Sequence, residues 1–274
     1  MYFLYLFIFL LGLCVGSFLN VLILRLPKGK KAKGRSYCPK CKKKLRWHEL
    51  IPLFSFIFLC GKCSRCKKPI SFQYPLVEFL TGLFFVLNSW QIIKTSGVLN
   101  FETIIEILFW FFFLGVLIVI FSTDFKFFIV PDRVIYPAIL VAFSYQVFKF
   151  FSLNNWKPSF TFGALRPVFT SVFAGAISAL FFFSLILLTK GKGMGLGDVK
   201  IAAFMGILLS FPNIFVALFL AFFSGSVIGL ILIILKRKKL KSEVPFGCFL
   251  APATFIAFFW GTNLITFYYN LFLW

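Results

Sequence analysis

Eight apolar segments, separated by short polar stretches, run along the 274-residue chain. Most are about 20 residues long, which lets a helix cross a hydrocarbon core of about 30 Å. The segments fall at residues 2–24, 76–93, 103–122, 134–151, 167–189, 200–210, 213–235 and 248–272. The sixth is short and contains Gly206, so a partly buried or re-entrant helix is an alternative there. The pattern predicts an all-α polytopic membrane protein with about eight transmembrane helices.

Composition supports a membrane location. Of the residues, 61% are hydrophobic and only 14% are charged, whereas soluble domains average about 25% charged residues. A cleaved signal peptide is the alternative for the first segment. That segment has no basic residue before Arg25, is longer than a usual signal and lacks an Ala-x-Ala-like exit. Residues 2–24 are therefore predicted to be a retained transmembrane helix.

The net charge of +21 is unevenly distributed. Fifteen Lys and Arg residues lie between Arg25 and Lys68, with Glu49 as the only acid there. If the N-terminus is outside and every segment crosses, 25 of the 29 basic residues are cytoplasmic. The four basic residues left outside are Lys94, Lys149, Lys157 and Arg166. This bias predicts an inner-membrane protein with both termini outside and the loops at 124–133, 190–198 and 236–247 in the cytoplasm.

A basic cluster beside a bilayer is also expected to attract anionic lipid. Nucleic-acid binding by the soluble stretch is a less favoured alternative, and no nucleic-acid partner is expected. That stretch, residues 25–75, is the only sizeable polar piece of the chain. It divides the chain into transmembrane helix 1 (1–24), a cytoplasmic domain (25–75) and a membrane domain (76–274). No convincing internal repeat is visible.

Two C-x-x-C pairs lie in the soluble stretch. A domain of about 50 residues has a small core and needs an additional stabilising element, such as a metal ion or disulfides, to fold. Zn²⁺ takes four thiolates at tetrahedral corners, and two such pairs supply them. Disulfides are the alternative, but the predicted cytoplasmic location is reducing. Cys60 has the wrong spacing for the paired arrangement. The pattern predicts a closed, structural zinc site in a zinc-ribbon-like domain. Its ligands are Cys38, Cys41, Cys63 and Cys66.

The chain contains three aspartates, Asp124, Asp132 and Asp198, each at the cytoplasmic end of an apolar segment. Ionisable groups at membrane depth are costly and usually functional, and two adjacent carboxyls can share one proton and activate water. Helix capping is the alternative for Asp132 and Asp198. The glycines before Asp198, including Gly195 and Gly197, are expected to allow close backbone approach and positive φ.

Other hydrolytic machinery is poorly represented. His48 is the only histidine, and neither His-Glu-x-x-His nor Gly-x-Ser-x-Gly occurs. A Ser–Lys dyad remains open. Two alternative functions belong to other classes of protein. One is a transporter that uses intramembrane carboxylates as proton relays, but the repeated broken helices typical of transporters are not seen in the sequence. The other is a membrane-anchored zinc ribbon that binds nucleic acid.

The chain resembles the type IV prepilin peptidases, membrane aspartic proteases with a Gly-x-Gly-Asp motif, over nearly its whole length. The stretches that carry the resemblance are 16–21 (GSFLNV), 25–27 (RLP), 38–41 (CPKC), 49–52 (ELIP), 61–66 (GKCSRC), 69–71 (PIS), 74–78 (YPLVE), 124–132, 193–200 (GMGLGDVK) and 245–247 (PFG). Each motif is weak alone, but the ordered set is specific.

The resemblance implies that Asp124 and Asp198 are the catalytic pair of an aspartic endopeptidase. It leaves supporting roles to Gly195, Gly197, Asp132 and Lys200. It further implies cleavage of a short basic leader from type IV prepilins and pseudopilins at the cytoplasmic face, after Gly. Methylation of the new N-terminus with S-adenosylmethionine is implied for members with the cysteine-bearing domain, and a peptidase without methyltransferase activity is the alternative.

Overall fold

A computed structural model describes residues 2–153, 162–191, 194–235 and 244–272. Within these ranges the chain forms nine α-helices and no β-strand. Short 3-10 turns follow α1 and precede α2. The helices are α1 (Tyr2–Arg25), α2 (Phe54–Phe58), α3 (Gln73–Ser96), α4 (Phe101–Phe127), α5 (Asp132–Leu153), α6 (Phe162–Leu188), α7 (Leu196–Leu209), α8 (Asn213–Ile234) and α9 (Gly247–Phe272).

Seven helices in the described part of the chain are long and apolar enough to cross a membrane. They are Tyr2–Lys28, Gln73–Ser96, Phe101–Phe127, Asp132–Ser152, Leu165–Leu188, Asn213–Ile234 and Gly247–Leu271. The short sixth segment of the sequence forms α7, whose 14 residues extend only about 21 Å. The all-α polytopic prediction is confirmed, and α7 is shorter than a hydrocarbon core.

The chain divides into two compact units, residues 1–119 and 120–274, and α4 runs from the first into the second. In the first unit α1 packs closely on α3, because glycines remove the side chains between them. A Cβ atom on Gly12 would lie 2.6 Å from the Cα atom of Gly82, and one on Gly16 would lie 2.7 Å from the Cα atom of Glu78. Small residues of this kind let membrane helices approach backbone to backbone.

In the second unit α7 is the central helix, in contact with α5, α6, α8 and α9. Gly206 lets it approach α6, since a Cβ atom there would lie 2.6 Å from the Cα atom of Gly175. The Gln146 side chain of α5 donates to the carbonyls of Ile207 and Leu208, at 2.6 and 3.0 Å. Because terminal helix carbonyls lack intrahelical partners, Gln146 satisfies backbone acceptors that have no water nearby.

Candidate active site and metal centre

Asp124 lies in the last turns of α4 and is 6% exposed. The apolar run of this helix ends here, so its carboxyl group sits where a membrane-spanning helix meets the following loop. Its Oδ2 atom is buried and has no hydrogen-bond partner among the described residues. Buried acceptors are almost always satisfied. An unsatisfied buried acceptor is rare, and a functional role for this carboxyl group is one explanation of it.

Asp198 lies in the first turn of α7 and is 9% exposed. The helix N-cap is Gly195, and Asp198 occupies the third helical position, from which its Oδ2 atom accepts a hydrogen bond from the Gly195 N–H at 3.3 Å. The alternative that Asp198 is itself the N-cap residue is therefore wrong. The contact helps to orient the carboxyl group at the positive end of the helix dipole.

The two aspartates are close enough to interact electrostatically. Asp198, which lies outside the seven candidate spans, has its pKa raised from 3.8 to about 6, first by burial and then by the negative charge of Asp124. Burial disfavours the charged form of a carboxyl group, and a neighbouring carboxylate adds to this effect. Such coupling between two carboxyl groups is compatible with an acid–base pair.

Gly247, the first residue of α9, closes one side of the site. A Cβ atom on Gly247 would lie 2.8 Å from Asp124 Oδ2 and 3.1 Å from Ile201 Cδ1. The backbone amides of Gly247 and Cys248 interact with the Asp124 carboxyl group, and the Cys248 thiol donates to the Phe121 carbonyl at 3.4 Å. Gly247 belongs to the Pro-Phe-Gly stretch at 245–247, but nothing in that stretch predicts its contact with α4.

Neither glycine of the Gly-x-Gly-Asp motif is required by an unusual backbone torsion. Gly195 has a φ of −96°, and neither it nor Gly197 has a positive φ. The expectation of positive φ is therefore wrong at both. A Cβ atom on Gly197 would lie 2.8 Å from Val130 Cγ2, so Gly197 lets the segment between α4 and α5 pack on the start of α7.

Asp132 and Lys200 form an ion pair between the first residue of α5 and the first turns of α7. The Lys200 Nζ atom lies 2.5 Å from Asp132 Oδ1 and 5.2 Å from the centre of the Tyr136 ring. The hydrogen bond to Asp132 raises the pKa of Lys200. This contact supports the placement of α7, two residues from Asp198.

The four cysteines of the two C-x-x-C pairs come together in the first unit. Their Sγ atoms all lie within 4.8 Å of one another, and the Cys38–Cys66 and Cys41–Cys63 pairs are each 4.0 Å apart. Tetrahedral Zn²⁺ with Zn–S bonds of about 2.3 Å requires S···S distances of about 3.8 Å. The donor set and spacing fit zinc. Cys60 is exposed and lies outside the cluster.

The two cysteine pairs adopt the same turn. In the first, the Cys38 N–H donates to the Lys43 carbonyl and the Lys42 N–H donates to the Cys38 carbonyl, both at 2.9 Å. The same two bonds recur in the second turn, between Cys63, Lys68 and Lys67. The residue four positions after the first cysteine has positive φ in both turns. A local structural repeat is thus present where no repeat was expected.

Glu49 joins the two cysteine turns. Its carboxylate accepts hydrogen bonds from the Arg46 N–H at 2.7 Å, from Lys43 Nζ at 3.2 Å and from the Ser64 hydroxyl. Lys43 belongs to the first turn and Ser64 to the second, and Lys43 also donates to Ser64 at 2.9 Å. These bonds, led by that from Arg46, lower the pKa of Glu49 to about 2. Sequence reasoning did not identify this residue as a support of the metal site.

Comparison with known proteins gives two matching family models. The Bacterial Peptidase A24 N-terminal domain matches residues 10–92, and the Type IV leader peptidase family matches residues 111–230. No solved structure matches the chain.

Several curated relatives carry the name prepilin leader peptidase/N-methyltransferase. The protein from Xanthomonas campestris is 31% identical, over 93% of this chain and 91% of its own length. The protein from Pseudomonas aeruginosa is 32% identical over 93% and 90%, and that from Bacillus subtilis is 28% identical over 96% and 97%. With such identity across nearly the whole of both chains, this chain belongs to the type IV leader peptidase family.

Proposed function

We propose that this chain removes the short basic leader from type IV prepilins and pseudopilins, with Asp124 and Asp198 as its catalytic residues. The observation that carries the proposal is the burial of two mutually interacting carboxyl groups at the first turn of α7. Metal-dependent or serine-histidine hydrolysis has little support, because the only histidine, His48, lies in the cysteine-bearing domain.

Hydrolysis by this pair needs no covalent intermediate. Asp124, ionised, accepts a proton from water, and the resulting hydroxide attacks the scissile carbonyl carbon. Asp198, protonated, donates to the carbonyl oxygen as the tetrahedral centre forms. Asp124 then passes the proton taken from water to the leaving amine. Asp198 takes a proton back from a hydroxyl of the tetrahedral centre as the C–N bond breaks and the carboxylic acid forms, so that the pair again holds one proton.

The test is cleavage of a pilin precursor by the chain in membranes. The Asp124→Asn and Asp198→Asn variants keep side-chain size but cannot take both protonation states, so each is expected to lose cleavage by at least about 10³-fold. Glu102→Gln serves as a control that removes an acidic group at the other end of α4 from Asp124. Retained cleavage by either catalytic variant contradicts the assignment.

We propose also that the chain methylates the new N-terminal amine with S-adenosylmethionine. The proposal is supported by the cysteine cluster in the first unit and by the name N-methyltransferase that the relatives carry. In this proposal Cys38, Cys41, Cys63 and Cys66 hold one structural zinc ion. Mass measurement of the cleaved product decides the question of methylation, because one methyl group adds about 14 Da to the amine. A product that lacks this increment in the presence of the methyl donor makes the chain a peptidase only.

The proposed topology places the cysteine-bearing domain and the catalytic loops in the cytoplasm and both termini outside. This topology requires α7 to cross the membrane although it is short. A short crossing is tolerated because α7 packs among α5, α6, α8 and α9 and not against lipid. Part of the supporting basic cluster, at 236–243, lies outside the described residues. Protease accessibility of a C-terminal tag in intact spheroplasts tests the orientation, since a protected tag contradicts it.

A further inference from the structure

An exposed apolar surface lies on α2, outside the seven candidate spans. Phe54, Ile57 and Phe58 share one side of this helix, since residues three and four apart are neighbours on a helix surface. All three side chains are exposed, and Phe58 is 81% exposed. We name them the α2 face. Adjacent large apolar side chains on the surface of a non-membrane domain usually mark an interaction site.

A hydrogen bond ties the residue before α2 to α3, near the start of a candidate membrane span. The N–H of Leu53, the residue before α2, donates to Glu78 Oε2 at 2.9 Å. Glu78 lies in α3, five residues after the span begins at Gln73, which corresponds to about 7.5 Å along the helix axis. The α2 face is therefore level with the membrane boundary rather than in bulk water.

A second contact fixes α2 beside the same helix end. Phe56, which is not part of the α2 face, packs its ring against Phe72 with the ring centres 6.4 Å apart. Phe72 is the residue immediately before α3. With Leu53 and Phe56 both in contact with the first residues of α3 or the residue before them, α2 is held beside the end of a candidate span.

The surrounding charge matches a lipid surface. The polar stretch carries fifteen Lys and Arg residues between Arg25 and Lys68 against the single acid Glu49, and Glu49 is already bonded to Lys43. Apolar side chains flanked by basic residues are typical of segments that lie in the interface of anionic membranes.

We propose that the α2 face inserts into the boundary between headgroups and acyl chains, and that it anchors the cysteine-bearing domain on an anionic membrane surface. The ligand is the bilayer itself. This inference depends on the placement of α2 and not on which residues carry out catalysis, so it stands or falls separately from the proposed peptidase reaction.

The test uses the full chain in nanodiscs that contain phosphatidylglycerol and a zwitterionic lipid. The variant Phe58→p-benzoylphenylalanine carries a photoreactive group on the α2 face, and Lys40→p-benzoylphenylalanine places the same group on an exposed residue of the first cysteine turn. After illumination, mass spectrometry of the protein is expected to show lipid adducts at least fivefold more abundant for position 58. Bound zinc is measured in both variants to verify that the domain is folded.

Equal adduct yields at the two positions would overturn the proposal. Crosslinks from position 58 mainly to a second copy of the chain would also overturn it, because they would identify the α2 face as a protein interface. Replacing phosphatidylglycerol by the zwitterionic lipid is expected to lower the adduct yield at position 58 by at least twofold. An unchanged yield contradicts the anionic part of the proposal.

Discussion

Gly247 at the start of α9 lies against Asp124 of α4, so closely that a Cβ atom at position 247 would come within 2.8 Å of the catalytic carboxyl oxygen. Real Cβ atoms essentially never approach another heavy atom below 3.0 Å. The carboxyl group and the helix start are thus fitted to each other, and the last helix of the chain defines where Asp124 points.

Substitution of Gly247 by alanine is expected to displace the Asp124 carboxyl group and to lower kcat for leader cleavage on the order of 100-fold, since misplacement of a catalytic group by about 1 Å has effects of that size. The measurement is steady-state cleavage of a purified precursor. Gly229→Ala is the matched control, because a Cβ atom at 229 meets nothing within 4 Å. Equal activity of the two variants would show that Gly247 does not position the aspartate.

Cleavage is expected to depend on the protonation of Asp198. Its pKa is raised to about 6 by burial and by Asp124, so the acid form is present below that value and is lost above it. Because the carboxyl group donates a proton only while protonated, kcat/KM should fall about tenfold per pH unit above about 6. A pH–rate profile of the free enzyme measures this limb, and Asp132→Asn should leave its position unchanged. A flat profile from pH 5 to 8 contradicts the role of Asp198.

Metal content distinguishes the clustered cysteines from the solitary one. The wild-type chain and Cys60→Ser are expected to carry one zinc ion per chain, because Cys60 is exposed and outside the cluster. Cys63→Ser removes one of four thiolates and should abolish stoichiometric zinc. Elemental analysis of the purified proteins gives the answer. Equal zinc in both serine variants would mean that the four sulfur atoms do not form the site.

Removal of the Glu49 carboxylate is expected to weaken metal retention. Glu49→Gln removes the negative charge that pairs with Lys43 and replaces one of the two acceptor oxygens by an NH2 donor, so the bonds to Lys43, Ser64 and the Arg46 N–H cannot all be kept. Loss of such supporting bonds typically costs 10–100-fold in metal affinity. Zinc release to a coloured chelator, followed over time, should be at least about tenfold faster. Glu102→Gln, in the first turn of α4, controls for the loss of one acidic group. Identical release rates in the two variants would rule out the role of Glu49.

The Gln146 side chain is expected to stabilise the second unit through α7. Gln146→Met conserves size but leaves the carbonyls of Ile207 and Leu208 without this donor, at a cost of about 1–2 kcal/mol in the free energy of unfolding. Unfolding by sodium dodecyl sulfate in mixed micelles measures the difference. Ser144→Ala, on an exposed side of the same helix, should change stability little. A Gln146 variant as stable as this control contradicts the capping role.

Much of the fold follows from local patterns that the sequence displays directly. Apolar runs of membrane-crossing length locate the seven long helices, and Asp124 stands near the end of one of them. The two C-x-x-C pairs predict the cysteine cluster because their spacing is itself the chemical requirement. In these cases the information lies within a few neighbouring residues.

Contacts between distant parts of the chain were beyond the reach of those patterns. The approach of Gly247 to Asp124 joins α9 to α4, the bond from Leu53 to Glu78 joins the soluble stretch to α3, and the α7 carbonyls find their donor in α5. None of these pairings has a local periodicity or spacing rule. The positive φ expected for Gly195 was wrong because this residue has the extended conformation usual for an N-cap. The contact of Gly197 with Val130 is again one between distant parts of the chain.

The position of Gly247 in the last helix has a consequence for biosynthesis. Ribosomes deliver α4 and α7 to the membrane before α9 exists, so a nascent chain already carries both acidic residues without the segment that holds one of them in place. In the proposed mechanism, peptidase competence is then acquired only after α9 has entered the membrane and packed against Asp124.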